Sequence, residues 1–130
     1  MTLDPQTDQL PPEVEHFIIR HIDSVAELEA LLLTRSSGAP WDAERLASRL
    51  YISTTTAREV LSALHRKHLL DQTEGLFTYA PASARLRASA EALAAAYARF
   101  LIPITRLIHG KPPSSLRAFS DAFLLREPED

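Results

Sequence analysis

The stretch from residue 41 to residue 79 constrains the fold more than any other part of the chain. It contains a short helical pattern that ends at Leu50 and a second one that begins at Ser53. Asp42 and Ser53 are residue types that cap helix N-termini, and the dipeptide 51–52 joins the two helices. The pattern predicts two short helices connected by a tight turn.

A strand-turn-strand pattern follows these helices. Residues 73–75 form a turn with a glycine, and in the run 76–79 alternate side chains point to opposite faces. Pro81 ends the second strand. Because a two-stranded hairpin is marginal alone, we expect it to pack on the helices.

Helical patterns also lie on both sides of this region. Ser24 opens a capping box with Glu27 and starts a helix that runs to about Thr34. The alanine-rich run after residue 82 predicts a long helix that is kinked or split near Pro103, and a last helix is expected to start near residues 114–115.

The predicted fold class is mainly α with a small β-hairpin. We divide the chain into a polar leader with a short N-terminal element over residues 1–23, a helix-turn-helix and hairpin domain over residues 24–81, and C-terminal helices over residues 82–130. Within the leader, the run 17–22 is expected to form a short strand or a helical turn against the core.

Composition excludes several classes of protein. The chain has no cysteine, so disulfides, thiol catalysis and cysteine zinc sites are excluded. Its first residues lack the basic start and apolar core of a signal peptide, which predicts a cytoplasmic location. Charged residues and Pro103 interrupt the apolar run 88–108, so no membrane insertion is expected.

The charge is unevenly distributed along the chain. The net charge is −3, but residues 1–35, 36–111 and 112–130 carry −5, +4 and −2. The helix-turn-helix region is therefore mildly basic between two acidic ends. This distribution is compatible with phosphate contacts and equally with a solvated surface.

The residues RLASRLYISTTTAREVLSALHRKHLL and the hairpin up to Tyr79 resemble the winged helix-turn-helix transcription regulators. The resemblance covers roughly residues 25–80 and is a pattern without a unique signature. It implies that Ser53 caps a recognition helix and that DNA is the partner.

Under this resemblance, early residues of the second helix face base edges, and Arg58 is placed to contact guanine in a bidentate manner. Basic residues around them are expected to contact phosphates. The predicted DNA-binding set is Thr54, Thr55, Thr56, Arg58, Arg45, Arg49, Arg66 and Lys67. The alternative is that the threonines are ordinary first-turn residues and the arginines an ordinary solvated face.

The hairpin favours a different partner. Asp71 and Glu74 are the charged residues between positions 71 and 79, and an acid near a phosphate opposes binding. Either this wing stays off the DNA or the domain is a protein-protein interaction module that does not bind DNA.

The alanine-rich helix predicts a second interaction surface. Its apolar stripe contains more surface than a small three-helix core needs, and a homodimer would bury it. The predicted dimerisation residues are Leu86, Leu93, Tyr97, Phe100, Leu101 and Ile104. The alternative is that this helix folds back on its own domain.

Enzymatic and metal-binding patterns are missing from the sequence. The spacing of the five histidines matches no metal site, and the chain has no glycine-rich phosphate loop or serine elbow. We therefore assign no catalytic residue, no metal ligand and no cofactor.

Overall fold

A computed structural model describes residues 9–111 of the chain. The predicted helix near residues 114–115 lies outside this part. The elements are α1 (Pro12–His21), α2 (Val25–Ser37), α3 (Ala43–Leu50), α4 (Thr54–Arg66), β1 (Leu70–Thr73), β2 (Leu76–Tyr79), α5 (Ala84–Tyr97) and α6 (Leu101–His109). The protein is mainly α-helical with a small antiparallel hairpin, as predicted.

The N-terminal element is a helix of ten residues, whereas the sequence predicted a short strand or a helical turn. Pro12 occupies the first helical turn, where its missing N–H costs nothing. Val14, Phe17 and Ile18 have helical spacing and are all buried. Helix α1 therefore belongs to the core of the protein.

Local capping defines the next three helices as predicted. The side chains of Ser24, Asp42 and Ser53 each accept a hydrogen bond from a backbone N–H three residues later. Helix α2 runs past the predicted Thr34 and ends before Gly38, which has the left-handed φ of +67° that glycine allows.

Trp41 connects the α2–α3 loop to the hairpin. Its backbone N–H donates to Phe77 at 2.8 Å, and the N–H of Phe77 donates back at 2.8 Å. The indole ring is buried, and its N–H donates to the Ser37 hydroxyl at 2.8 Å. Trp41 thus forms an antiparallel bridge beside β2 and fixes the hairpin against the start of α3.

Helices α5 and α6 pack on the N-terminal half of the chain. Helix α5 contacts α1, and α6 contacts α1 and α2. The split near Pro103 is confirmed, because α5 ends at Tyr97 and α6 begins at Leu101. Pro103 lies in the first turn of α6, where a donor is not needed. One continuous core includes residues from all six helices and the hairpin.

Candidate nucleic-acid interface

The junction between α3 and α4 is a tight turn that leaves one aromatic side chain in solvent. Tyr51 has a left-handed backbone with φ 59°, and the N–H of Ile52 donates to Ala47 at 3.1 Å. Ser53 then caps α4. The Tyr51 side chain is 94% exposed, which is unusual for a large aromatic residue within a packed domain.

The first turn of α4 presents short polar side chains. Thr55, Thr56 and Arg58 are exposed, and Thr54 is half-buried. The Ser53 hydroxyl donates to Thr56 Oγ1 at 2.9 Å and accepts from the Thr56 N–H at 3.0 Å. Thr56 therefore takes part in the cap, whereas Thr55 and Arg58 have side chains directed away from the core.

Three further arginines of the predicted set lie on the surface, two on α3 and one at the end of α4. Arg45, Arg49 and Arg66 are exposed. The guanidinium of Arg45 lies 4.1 Å from the centre of the Trp41 ring and donates to the carbonyl of Pro40 at 3.1 Å. These contacts hold Arg45 in place while its charge stays in solvent, because a cation above an aromatic face is attracted by the ring.

A surface cavity of about 580 Å³ lies beside the turn, and Ser48, Arg49 and Tyr51 contribute to its wall. The hydroxyl groups and the guanidinium are the side-chain types that contact sugar and phosphate. Ser48 and Tyr51 were not predicted from the sequence, although their positions in and after α3 mark them as neighbours of Arg49.

Lys67 has a different environment from the one predicted for a phosphate contact. Its ammonium donates to Asp23 Oδ2 at 2.9 Å and to Glu27 Oε1 at 2.6 Å. Its side chain is 19% exposed. With its charge compensated by two carboxylates, Lys67 is part of an ion cluster that joins α4 to the α1–α2 junction.

The same cluster includes Lys111. Its ammonium lies 3.4 Å from Asp23 Oδ1 and donates to the backbone carbonyls of Ile18 and Ile22. Burial lowers the pKa of Lys111. Lys111 thus connects the end of α6 to the end of α1 and to the α1–α2 junction.

Glu59 is a further exposed residue of α4 that the sequence reasoning missed. It follows Arg58 directly and lies four residues after Thr55, so it shares the exposed surface of the helix. A carboxylate at this place opposes phosphate but can accept a hydrogen bond from the amino group of cytosine. Its helical spacing from Thr55 was the available signal.

The hairpin carries acidic and apolar groups toward solvent. Asp71, Glu74 and Leu76 are exposed. Glu74 and Gly75 have φ angles of 53° and 81°, which form the tight turn between the strands. The surface of the hairpin therefore offers no cation to a phosphate backbone.

Glu91 fixes the base of the hairpin. Its carboxylate accepts hydrogen bonds from Arg35 Nη2 at 2.6 Å and from the Tyr79 hydroxyl at 2.9 Å. The hydrogen bond from Arg35 is the main cause that lowers the pKa of Glu91. Burial, followed by the bond to Glu91, raises the pKa of Tyr79 to about 12. The hairpin is therefore attached to α2 and α5.

The residues predicted for dimerisation divide into two groups. Leu93, Phe100 and Ile104 are buried in the chain's own core. They fold back on the N-terminal half because α5 and α6 pack on α1. Leu86 and Tyr97 are half-buried.

Leu101 stays on the surface and is 44% exposed. The next residue, Ile102, is 61% exposed and was not in the predicted set. Two adjacent large aliphatic side chains at the start of α6 form the apolar surface that remains from the predicted stripe. We call this pair the α6 patch.

Residues 9–111 contain neither a candidate metal site nor a candidate membrane-spanning helix. No group of three or more histidine or acidic side chains is placed to hold a metal ion. None of the described helices has the length and apolar composition that crossing a membrane requires.

Comparisons of the chain with protein-family models, with curated proteins and with solved structures give no match.

Proposed function

We propose that this chain is a winged helix-turn-helix DNA-binding protein that regulates transcription as a homodimer and has a binding rather than a catalytic role. The observation that carries the proposal is the exposed start of α4 behind the tight turn at Tyr51. In helix-turn-helix proteins the N-terminal residues of the second helix contact base edges in the major groove. Thr55 and Arg58 occupy such positions here.

The order of elements supports the same proposal. Helix α2, α3, α4 and the hairpin follow one another, and a helix-turn-helix followed by a hairpin is the order expected of a winged helix. The bridge between Trp41 and Phe77 holds the hairpin beside the start of α3.

In this proposal each exposed side chain has a distinct role. Arg58 reads guanine, and Glu59 can read cytosine on the other strand. Arg45, Arg49 and Arg66 contact phosphates and set the position of α4. The acidic hairpin stays away from the duplex, since its carboxylates would approach phosphates.

The number of cations limits the expected affinity. Each neutralised phosphate contributes about −0.9 to the slope of log K against log salt. Three phosphate-contacting arginines on each protomer therefore predict a slope of roughly −3 for one protomer and about −5 for a dimer. These values are modest, so two half-sites are needed for tight binding.

The α6 patch supports the homodimer. A monomer leaves Leu101 and Ile102 in contact with water, whereas a second copy of the chain would cover them. We expect Ile102→Asp to shift the sedimentation coefficient from that of a dimer to that of a monomer. Leu76→Asp, at an exposed leucine of the hairpin, is the matched control and should leave the dimer intact. A wild-type chain that sediments as a monomer at high concentration would reject the dimer.

DNA binding is tested by selection of bound fragments from a random pool at two salt concentrations. We expect enrichment of one sequence class, loss of most of that enrichment with Arg58→Ala, and no change with Arg106→Ala, an exposed arginine on α6. Absence of enrichment with the wild-type protein would refute the proposal.

The second candidate is a winged-helix protein-interaction module. The exposed acids Asp71 and Glu74 beside the exposed Leu76 favour it, since an apolar residue flanked by acids suits a basic protein surface. Under this alternative the selection yields no enriched DNA, and Leu76→Asp abolishes a protein contact.

A further inference from the structure

A second surface of the molecule has the properties of a small-molecule site. A cavity of about 480 Å³ lies between α1, the end of α4 and the start of α5. Phe17 and Leu86 supply apolar wall, while Ser83 and Ser89 supply hydroxyl groups. This volume lies within the range of about 300 to 1,000 Å³ that is typical of pockets for small ligands.

Cations from two elements face this cavity. Arg20 comes from α1 and Arg85 from α5. Both side chains are exposed, so their guanidinium groups can reach a ligand in the cavity. Glu13 is the acidic residue of the wall, and its single negative charge is set against two arginines.

Three imidazole rings add hydrogen-bonding groups to the same wall. His16 and His21 come from α1, and His68 follows α4. The backbone of His68 has φ 66°, a left-handed conformation that residues with a side chain rarely adopt. This conformation ends α4 and places an imidazole rather than a glycine at the cavity.

The cations around this cavity also act on His21. Burial is the main cause that lowers the pKa of His21, and the charges of Arg20, Lys67 and Lys111 lower it further. Lys67 is compensated by its two carboxylates, so the arginines are the cations of the wall that are placed to attract an anion.

We propose that this cavity binds a small organic molecule that carries a phosphate or carboxylate group, with the anion held between Arg20 and Arg85. Arginine forks match both groups in a bidentate geometry. Phe17 and Leu86 contact the apolar part of the ligand. A DNA strand is not the expected occupant, because the cavity lies at the end of α4, away from the exposed start of that helix.

The site also gives a ligand access to the proposed DNA-binding helix. Lys67 and His68, which immediately follow α4, both contribute to the cavity wall. An occupant that moves either residue changes the end of the helix whose start faces the DNA. Such coupling makes the anion an effector, but binding itself is independent of the proposed function.

The test uses the full chain labelled with ¹⁵N and two probes, pyrophosphate and citrate, at constant ionic strength. We expect saturable shifts of backbone amides around residues 16–21 and 83–89. Arg20→Gln and Arg85→Gln should each weaken binding at least tenfold, because each removes a charged hydrogen-bonding partner. Arg106→Gln, on α6 and outside the cavity wall, is the matched control and should bind as the wild type does.

Several results would overturn the proposal. Shifts that do not saturate, or that persist unchanged in Arg20→Gln and Arg85→Gln, would show an adventitious ion only. Shifts centred on residues 54–58 would place the anion at the DNA-facing surface instead. Both arginines are exposed, so the variants are expected to fold, and circular dichroism checks this.

Discussion

Replacing Lys67 with methionine removes the ammonium that joins α4 to the α1–α2 junction. This ammonium donates to Asp23 at 2.9 Å and to Glu27 at 2.6 Å. Methionine keeps most of the apolar stem of lysine, so the change is mainly one of charge. Glu27 then keeps the backbone N–H of Asp23 as a donor, while its carboxylate loses the cation.

The expected cost follows from the geometry of the cluster. Removal of one partner from a buried ion pair costs about 3 to 5 kcal/mol. Two features reduce this value: Lys67 is 19% exposed, and Asp23 keeps Lys111 at 3.4 Å. We therefore expect the free energy of unfolding to fall by about 2 to 3 kcal/mol, which lowers Tm by roughly 10 °C in a domain of this size.

Urea unfolding followed by helical circular dichroism measures this change. Arg66→Ala, at the exposed neighbour, is the control and should alter the free energy of unfolding by less than about 0.5 kcal/mol. The double variant Glu27→Gln with Lys67→Met should recover part of the lost stability, because the uncompensated carboxylate is gone.

A different result would show that Lys67 acts at the DNA surface and contributes little to stability. If Lys67→Met unfolds as the wild type does but loses affinity for DNA and flattens the salt dependence, Lys67 is a phosphate contact. The ion cluster would then contribute little to stability, and the original prediction from the sequence would stand.

Four further changes test other parts of the structure. Leu93→Ala should lower the free energy of unfolding, measured in urea, by about 3 kcal/mol, since its side chain is fully buried. A decrease below about 1 kcal/mol would contradict the packing of α5. Gly75→Ala should lower the free energy of unfolding by about 1 kcal/mol in the same assay, because its φ of +81° disfavours a side chain while the added Cβ meets no atom within 4 Å. An unchanged free energy of unfolding would contradict the left-handed conformation at this turn. His21 has a lowered pKa, so the folded state binds fewer protons than the unfolded state. Its contribution to stability is therefore present above about pH 6.5 and is lost as the pH falls. When the free energy of unfolding is measured against pH, His21→Gln should show a smaller decline in acid than the wild type. Tyr79 has a pKa raised to about 12, so its contribution to stability is lost as the pH rises through that value. An ultraviolet titration should show one tyrosine that ionises at higher pH than the others, and this late step should be absent in Tyr79→Phe.

The parts of the fold that depend on neighbours in sequence were predictable. The caps at Ser24, Asp42 and Ser53 act over three residues, and helical periodicity is visible within one turn or two. The break near Pro103 follows from its missing N–H. The hairpin turn follows from Gly75 and the alternation after it.

The parts that depend on distant residues were not predictable. The ion pair between Lys67 and Asp23 joins residues 44 positions apart, and no local pattern distinguishes such a lysine from an exposed one. The bridge from Trp41 to Phe77 likewise joins residues that are far apart in the sequence. The burial of Leu93 is likewise set by packing on α1, because an apolar stripe indicates that a partner exists without indicating which one.

The candidate DNA-binding residues show the same limit. Helical spacing predicted that Thr54, Thr55, Thr56 and Arg58 would be exposed; the last three are exposed, and Thr54 is half-buried. Tyr51 is exposed in a turn where its backbone is left-handed, a conformation that a residue other than glycine rarely adopts. Spacing alone could not show this.

A titration of the ¹⁵N-labelled chain with a duplex from the fragment selection shows whether α4 is the helix that reads DNA. We expect the largest amide shifts in residues 45–58 and a decrease of these shifts as salt is raised, while those of the hairpin tip at Glu74 and Gly75 stay small. Shifts centred on the hairpin, or shifts spread evenly over the surface, would contradict the assignment of α4 as the helix that reads DNA.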